Sequence, residues 1–249
     1  MKKIILLLAI LSICVTQVAC GNKSTQKPTT NTPNLVEKPT MKSAENKPPE
    51  NENIIHNDIY SLIPEGWKVF EKVKGEPVIV EGDLNKDGIS DIVAVIVGAS
   101  ETEMSSPRSL LIAFGNKDNT YTLSIIAEKA ILRADQGGVW GDPFESISIS
   151  NGSILLTFYG GSNWRWYHTY RFRYQEDGWY LIGATLGSYF SGNVTRENAD
   201  EEDYNLLTGD YIFKKTNDAG IQNTTKGNRG KRALVNLKDF VVDSEDIQF

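Results

Sequence analysis

From Ile54 to Phe249 the apolar residues come in short runs, some alternating with polar residues and some unbroken. No long stretch repeats them at the 3.6-residue period of a helix. Short runs split by turn residues are the pattern of strands. The pattern predicts strands over Lys68–Val73, Ile89–Val97, Ser109–Phe114, Tyr121–Ala127, Glu145–Ile149, Ser153–Phe158, Trp164–Tyr174, Trp179–Leu186, Asp210–Lys215 and Ala233–Leu237. One short helix is predicted over Ile54–Leu62, ending before Pro64. Between the strands lie Asn116-Lys117-Asp118-Asn119, Asn151-Gly152 and Glu176-Asp177-Gly178. Asn-Gly is the strongest of these turns, because both residues tolerate the positive φ of a tight hairpin. Successive hairpins of this kind imply a mostly β fold of antiparallel strands, in one sheet or two packed sheets.

Before Ile54 the pattern is different. Lys2 and Lys3 precede an unbroken apolar stretch, Ile4 to Val15, too short to span a bilayer comfortably. At an N-terminus it reads as the core of a signal peptide, residues 1–19. Ala19-Cys20-Gly21 follows it. That junction resembles the lipobox of bacterial lipoproteins, which implies lipidation of Cys20 and an extracytoplasmic domain anchored to the cell membrane. The alternative is an ordinary cleaved signal peptide with an incidental cysteine. The chain has two cysteines, Cys14 and Cys20, and the first leaves with the signal. No disulfide is therefore expected in the domain. Residues 20–53 hold five of the nine prolines among Lys, Thr, Asn, Glu and Ser. Such a segment buries too little apolar surface to offset its conformational entropy, so it reads as a disordered tether. Either it spaces the domain from the membrane or it has no spacing role. The globular domain is then 54–249.

The formal net charge of −6 argues against a nucleic-acid partner, which calls for a basic surface. The clearest chemistry lies in Asp83-Leu84-Asn85-Lys86-Asp87-Gly88-Ile89-Ser90-Asp91. Oxygen side chains recur at positions 1, 3, 5 and 9, and a glycine at 6 permits a sharp turn. Hard calcium wants six to eight oxygens, and this spacing supplies them without sulfur or imidazole. An EF-hand needs a bidentate Glu at position 12; Ala94 stands there. The loop runs instead into Asp91–Val97, a buried strand by pattern. The alternative is a plain Asn/Asp/Gly turn.

A calcium loop that enters a strand resembles the FG-GAP and VCBS-type repeats, whose core reads Gly-Asp-x-Asn-x-Asp-Gly-x-x-Asp. The resemblance implies side-chain ligands from Asp83, Asn85, Asp87 and Asp91, and the carbonyl of Ile89. One copy is present, so it implies the site and not a propeller. Phe114-Gly115-Asn116, the run Ala134–Glu145 and Tyr159–Trp166 together resemble an uncharacterised bacterial lipoprotein family with a single such loop. That likeness implies no activity.

Trp164 to Tyr174 alternates strictly. Trp164, Trp166, His168, Tyr170, Phe172 and Tyr174 share one face; Arg165, Tyr167, Thr169, Arg171 and Arg173 share the other. The simpler reading is a core face against a solvated face. The sharper one is an aromatic platform for a sugar or peptide, with Trp164, Trp166 and Arg165 as contacts. The glycine-rich segments Asp135–Glu145 and Gly160–Asn163 are expected near one another. Asp135, Asp142 and Glu145 would then share a cleft with Arg165, as acid and base of a glycan hydrolase or as caps of turns. No nucleophile elbow, Walker loop or zinc spacing occurs. The leading expectation is a calcium-binding module that recognises a protein or glycan at the cell surface. The alternative is a carboxylate-dependent hydrolase of the cell envelope.

Overall fold

The structure, a computed structural model, describes residues 55–56, 58–217 and 219–242. The expected signal peptide, Cys20 and the expected tether lie outside these residues. The fold is mostly β, as expected, and built from two antiparallel sheets and a small hairpin.

In chain order the first part contributes β1 (Ile55–His56), β2 (Trp67–Val69), β3 (Glu71–Val73), β4 (Glu76–Pro77), β5 (Ile79–Gly82), β6 (Asp91–Gly98), β7 (Arg108–Gly115) and β8 (Tyr121–Ala127). The first sheet runs β1-β8-β7-β6, and the free edge of β6 is shared. β5 pairs with Asp91–Ala94, and β2 pairs with Ile96–Gly98. β3 and β4 form the hairpin between them. The second part contributes β9 (Phe144–Ser150), β10 (Ser153–Gly161), β11 (Trp164–Gln175), β12 (Gly178–Phe190), β13 (Asp200–Asn205), β14 (Asp210–Thr216) and β15 (Gln222–Asn228). These form a seven-stranded meander in which each strand pairs with the next.

The apolar pattern explains the layering. β6 is buried along nearly its whole length. Val93 and Val95 enter the main core, with Leu110 and Ile112 of β7 and with Ile154, Leu156, Phe158, Tyr170, Phe172 and Leu181 of the second sheet. Ile92, Ala94 and Ile96 point the other way, into a smaller core closed by Ile59 and Leu62. Those two belong to a 3-10 helix, Ile59–Leu62, which stands where the longer helix was expected. Asp58 caps it by accepting the Ser61 N–H at 2.9 Å. Along β10 burial alternates with the sequence, as one-sided strands require.

Two hairpins use positive φ at both turn residues. Asn151 and Gly152 do so as expected; Glu176 and Asp177 do so without glycine, which falls instead at the first position of β12. The expected strand over Ala233–Leu237 does not form. That segment makes an isolated bridge, Tyr180 to Asn236, and two hydrogen bonds to Trp179 and Leu181. It fills the stretch of the β12 edge that β13 leaves open. Leu237, Phe240 and Val242 then close the main core.

Candidate functional site

The Asp83–Asp91 loop joins β5 to β6 and lies where the two sheets meet. Leu84 is fully buried in the main core and pins the loop there. A methyl on Gly82, at the end of β5, would stand 2.9 Å from Ile149 of β9, and one on Gly152 would stand 3.7 Å from Asp83 O, so the start of the loop lies against the second sheet. Asp91 is fully buried. Its Oδ2 accepts the N–H groups of Leu84 (2.8 Å) and Asn85 (3.2 Å), and its Oδ1 accepts that of Gly115 at 3.0 Å. Burial pushes the Asp91 carboxyl above its ordinary value. The three N–H donors oppose the shift, and the charge of Asp87 adds to it. No lysine or arginine pairs with Asp91 among the described residues.

The rest of the loop is a set of side-chain-to-backbone turns. Asp83 accepts from Lys86 N (2.7 Å) and Gly88 N (3.1 Å), Asn85 from Asp87 N (3.0 Å), and Asp87 from Ile89 N (2.8 Å). Asn85 also donates its amide to Asp87 Oδ2 at 3.0 Å. Among the described residues no three His, Cys, Asp or Glu side chains converge as a metal group. By donor type the loop nonetheless fits an oxygen-seeking cation. It offers three carboxylates and an amide, and the accepting oxygens of Asp83, Asn85 and Asp87 and Oδ1 of Asp91 each keep a lone pair beyond these bonds.

The two glycine-rich segments meet, as expected. A methyl on Gly160 would press on the Trp166 ring and stand 3.0 Å from Gly137 O, so the strand end and the 3-10 helix Ala134–Trp140 approach backbone to backbone. The acids nearby do not form a catalytic pair. Asp142 takes Arg108 in a fork of 2.7 and 2.6 Å. Glu145 takes Arg196 in a second fork, 2.7 and 3.0 Å. Asp135 pairs with Arg133 at 3.0 Å on the surface. Each acid is neutralised by its own arginine, and none stands free as acid or base.

The Arg108–Asp142 pair instead lines a groove of about 920 Å³. Arg108 is almost completely buried, with its guanidinium 4.1 Å from the Phe70 ring. Lys68, Lys72 and Lys74 stand along the same groove beside Glu71 and Glu103. These mixed charges select no single ligand chemistry.

The predicted aromatic face of β11 divides along its length. Tyr170 and Phe172 are in the main core, and Trp166 packs against it. His168 is packed beside the Trp166 ring at 4.9 Å, as expected of a core histidine. Trp164 lies past the end of the core and is 65% exposed, touching Phe190 of β12 (37% exposed) at 5.6 Å. On the opposite face of the same sheet end, Arg165 lies 4.2 Å over Trp140. Trp140 packs edge-on to Tyr159 at 5.3 Å, and Tyr159 shares a 2.8 Å hydroxyl contact with Tyr189. Trp140 is 54% exposed and its neighbour Val139 87%. Behind them Arg196 lies over Tyr159 and Tyr167, and Tyr167 donates to Glu201 at 2.7 Å.

Val139, Trp140 and Phe190 were not singled out by the sequence pattern. The signal available for Trp140 was its place at the end of a glycine-rich turn, where a large apolar side chain has no strand face to enter. No protein-family model, curated protein or solved structure matches the chain, so the reading of these sites rests on their own residues.

Proposed function

We propose that this chain is an exported binding module, tethered through a lipidated Cys20, steadied by one calcium ion in the Asp83–Asp91 loop, and recognising its partner with the aromatic end of the second sheet. The observation that carries this reading is the exposure of Val139, Trp140, Trp164 and Phe190 around one sheet end. Large apolar side chains left exposed together at one end of a sheet mark interaction sites. The ion pairs that occupy Asp135, Asp142 and Glu145 give the hydrolase alternative no support.

Calcium would be held by Asp83, Asn85, Asp87, Asp91 and the carbonyl of Ile89. It would supply positive charge to the carboxylates of Asp83, Asp87 and the buried Asp91. The protein's own part is to fix the ligands. Leu84 anchors the loop from below, and Gly115 N–H orients Asp91.

Two measurements test the reading. Thermal unfolding of residues 20–249 carrying Cys20→Ser is followed in 10 mM calcium and in chelator, beside Asp87→Ala. Extracellular sites bind at about 0.1–1 mM, which predicts about 1.4–2.7 kcal/mol of stabilisation by mass action. The gain is expected in the parent and not in Asp87→Ala; equal melting with and without calcium would remove the ion from the proposal. Binding to a cell-envelope fraction is then compared for the parent and Trp140→Ala/Trp164→Ala. Unchanged binding would show that the sheet end is not the recognition surface.

A further inference from the structure

We infer that the partner of this sheet end is the lipid bilayer interface, and that Val139, Trp140, Trp164 and Phe190 form a membrane-contact tip. The inference rests on the proposal that this end is the recognition surface, and it names the partner.

The register sets the geometry. Trp164 pairs with Phe190 across β11 and β12, and Arg165 pairs with Tyr189 at the next position. Neighbouring residues in a strand point to opposite faces. Trp164 and Phe190 therefore stand on the face that elsewhere enters the core, while Trp140 rests on the other face against Tyr159 and Arg165. Exposed rings on both faces of one sheet end project from it and do not enclose a ligand. A sugar or peptide is normally held in a concave site. A bilayer approached end-on meets both faces at once.

The chemistry also suits the interface. Tryptophan is enriched there because its ring is apolar and its N–H is polar. Neither Trp140 nor Trp164 spends its indole N–H on a partner among the described residues. Main-chain groups that leave water at a membrane do so at less cost when they are already bonded within the protein. Here Ser162 N bonds to Trp164 O at 2.8 Å, Ser191 N to Asn163 O at 2.8 Å, Val194 N to Phe190 O at 3.1 Å and Gly141 N to Gly138 O at 3.2 Å. Arg165 has no carboxylate partner among the described residues. Its guanidinium, held against the Trp140 ring, is placed to meet a lipid phosphate once the ring lies among headgroups.

The test uses residues 20–249 with Cys20→Ser, which removes the lipidation site and keeps every described residue. Co-sedimentation is measured with phosphatidylcholine vesicles and with vesicles of three parts phosphatidylcholine to one part phosphatidylglycerol. Tryptophan emission is recorded with and without brominated acyl chains. The parent should bind, shift its emission to the blue and be quenched, since the other three tryptophans are already wholly or partly buried. Trp140→Ala/Trp164→Ala should bind vesicles at least about tenfold more weakly, a loss of about 1.4 kcal/mol, with its calcium response kept. Arg165→Gln should lose more affinity for the anionic vesicles than for the neutral ones. Vesicle binding that is absent, or unchanged in the double tryptophan variant, overturns the inference. If such a protein still binds purified envelope glycan or protein through Trp140 and Trp164, the proposed function stands with a different partner. If it binds neither, both fall.

Discussion

Replacing Gly115 by alanine should uncouple the Asp83–Asp91 loop from the first sheet. Gly115 ends β7, and its Cα lies against the loop backbone. An added methyl would overlap the Ser90 carbonyl oxygen and stand 2.9 Å from Ile89 Cγ2. The first of these atoms is main chain, so no rotamer change relieves it. Forcing such a contact costs about 1–3 kcal/mol. Moving the strands apart also stretches the 3.0 Å bond from Gly115 N–H to the Asp91 carboxylate. A hydrogen bond to a charged group contributes about 1.5–3 kcal/mol. Together these predict a loss of about 3–5 kcal/mol. For a domain of this size that lowers Tm by on the order of 10 °C. The assay is thermal and urea unfolding followed by tryptophan emission, in chelator and in 10 mM calcium. The variant should also lose most of any calcium response, because Asp91 is no longer held in place. A Gly115→Ala protein that melts within 2 °C of the parent and responds equally to calcium would refute the reasoning.

Other outcomes follow from the same packing. Leu84→Ala should cost about 3–5 kcal/mol by opening a cavity under the loop, read as a lower urea midpoint. Arg108→Met should destabilise more than the pair Arg108→Met with Asp142→Asn, because the single change strands a carboxylate that also accepts from Phe144 N; equal urea midpoints for the two would contradict this. Tyr204 and Tyr189 are pushed up to about 12, chiefly by burial, and Tyr167 is pushed up as well. The folded protein therefore keeps protons that the unfolded chain loses. Stability should fall as pH rises from about 10 to about 12, and an ultraviolet titration should show part of the tyrosine signal appearing only near 12.

Much of the β framework could be read from the sequence, because strands with one buried face print their alternation on it. β8 matches its expected span, β10 runs on past its own to Gly161, and β11 exceeds its own only by Gln175. β13 could not be read this way. Its Asp-Glu-Glu-Asp run looks like a loop until its neighbours supply partners: Tyr167 and Lys214 for Glu201, Thr185 for Asp203 and Lys215 for Asp200. β15 has no apolar face at all and is held by its register with β14. The loop and the meeting of the glycine-rich segments were legible because glycine and Asx residues act locally. The division of β11 was not. Period two gives Trp164 and Trp166 the same face, and only the place where the core ends makes one exposed and the other packed.

The closing of the main core by Leu237, Phe240 and Val242 bears on when the chain can fold. Domains emerge from synthesis N-terminus first. β6 and β7 would appear long before the residues that seal their inner face. The meander can pair strand by strand, but its inner face stays open until residue 242 has followed. A chain delivered across a membrane in the same direction would remain loose during passage and lock only after residue 242 had crossed. That delay suits threading through a narrow channel, and it leaves the half-made sheet exposed to chaperones or to aggregation in the interval.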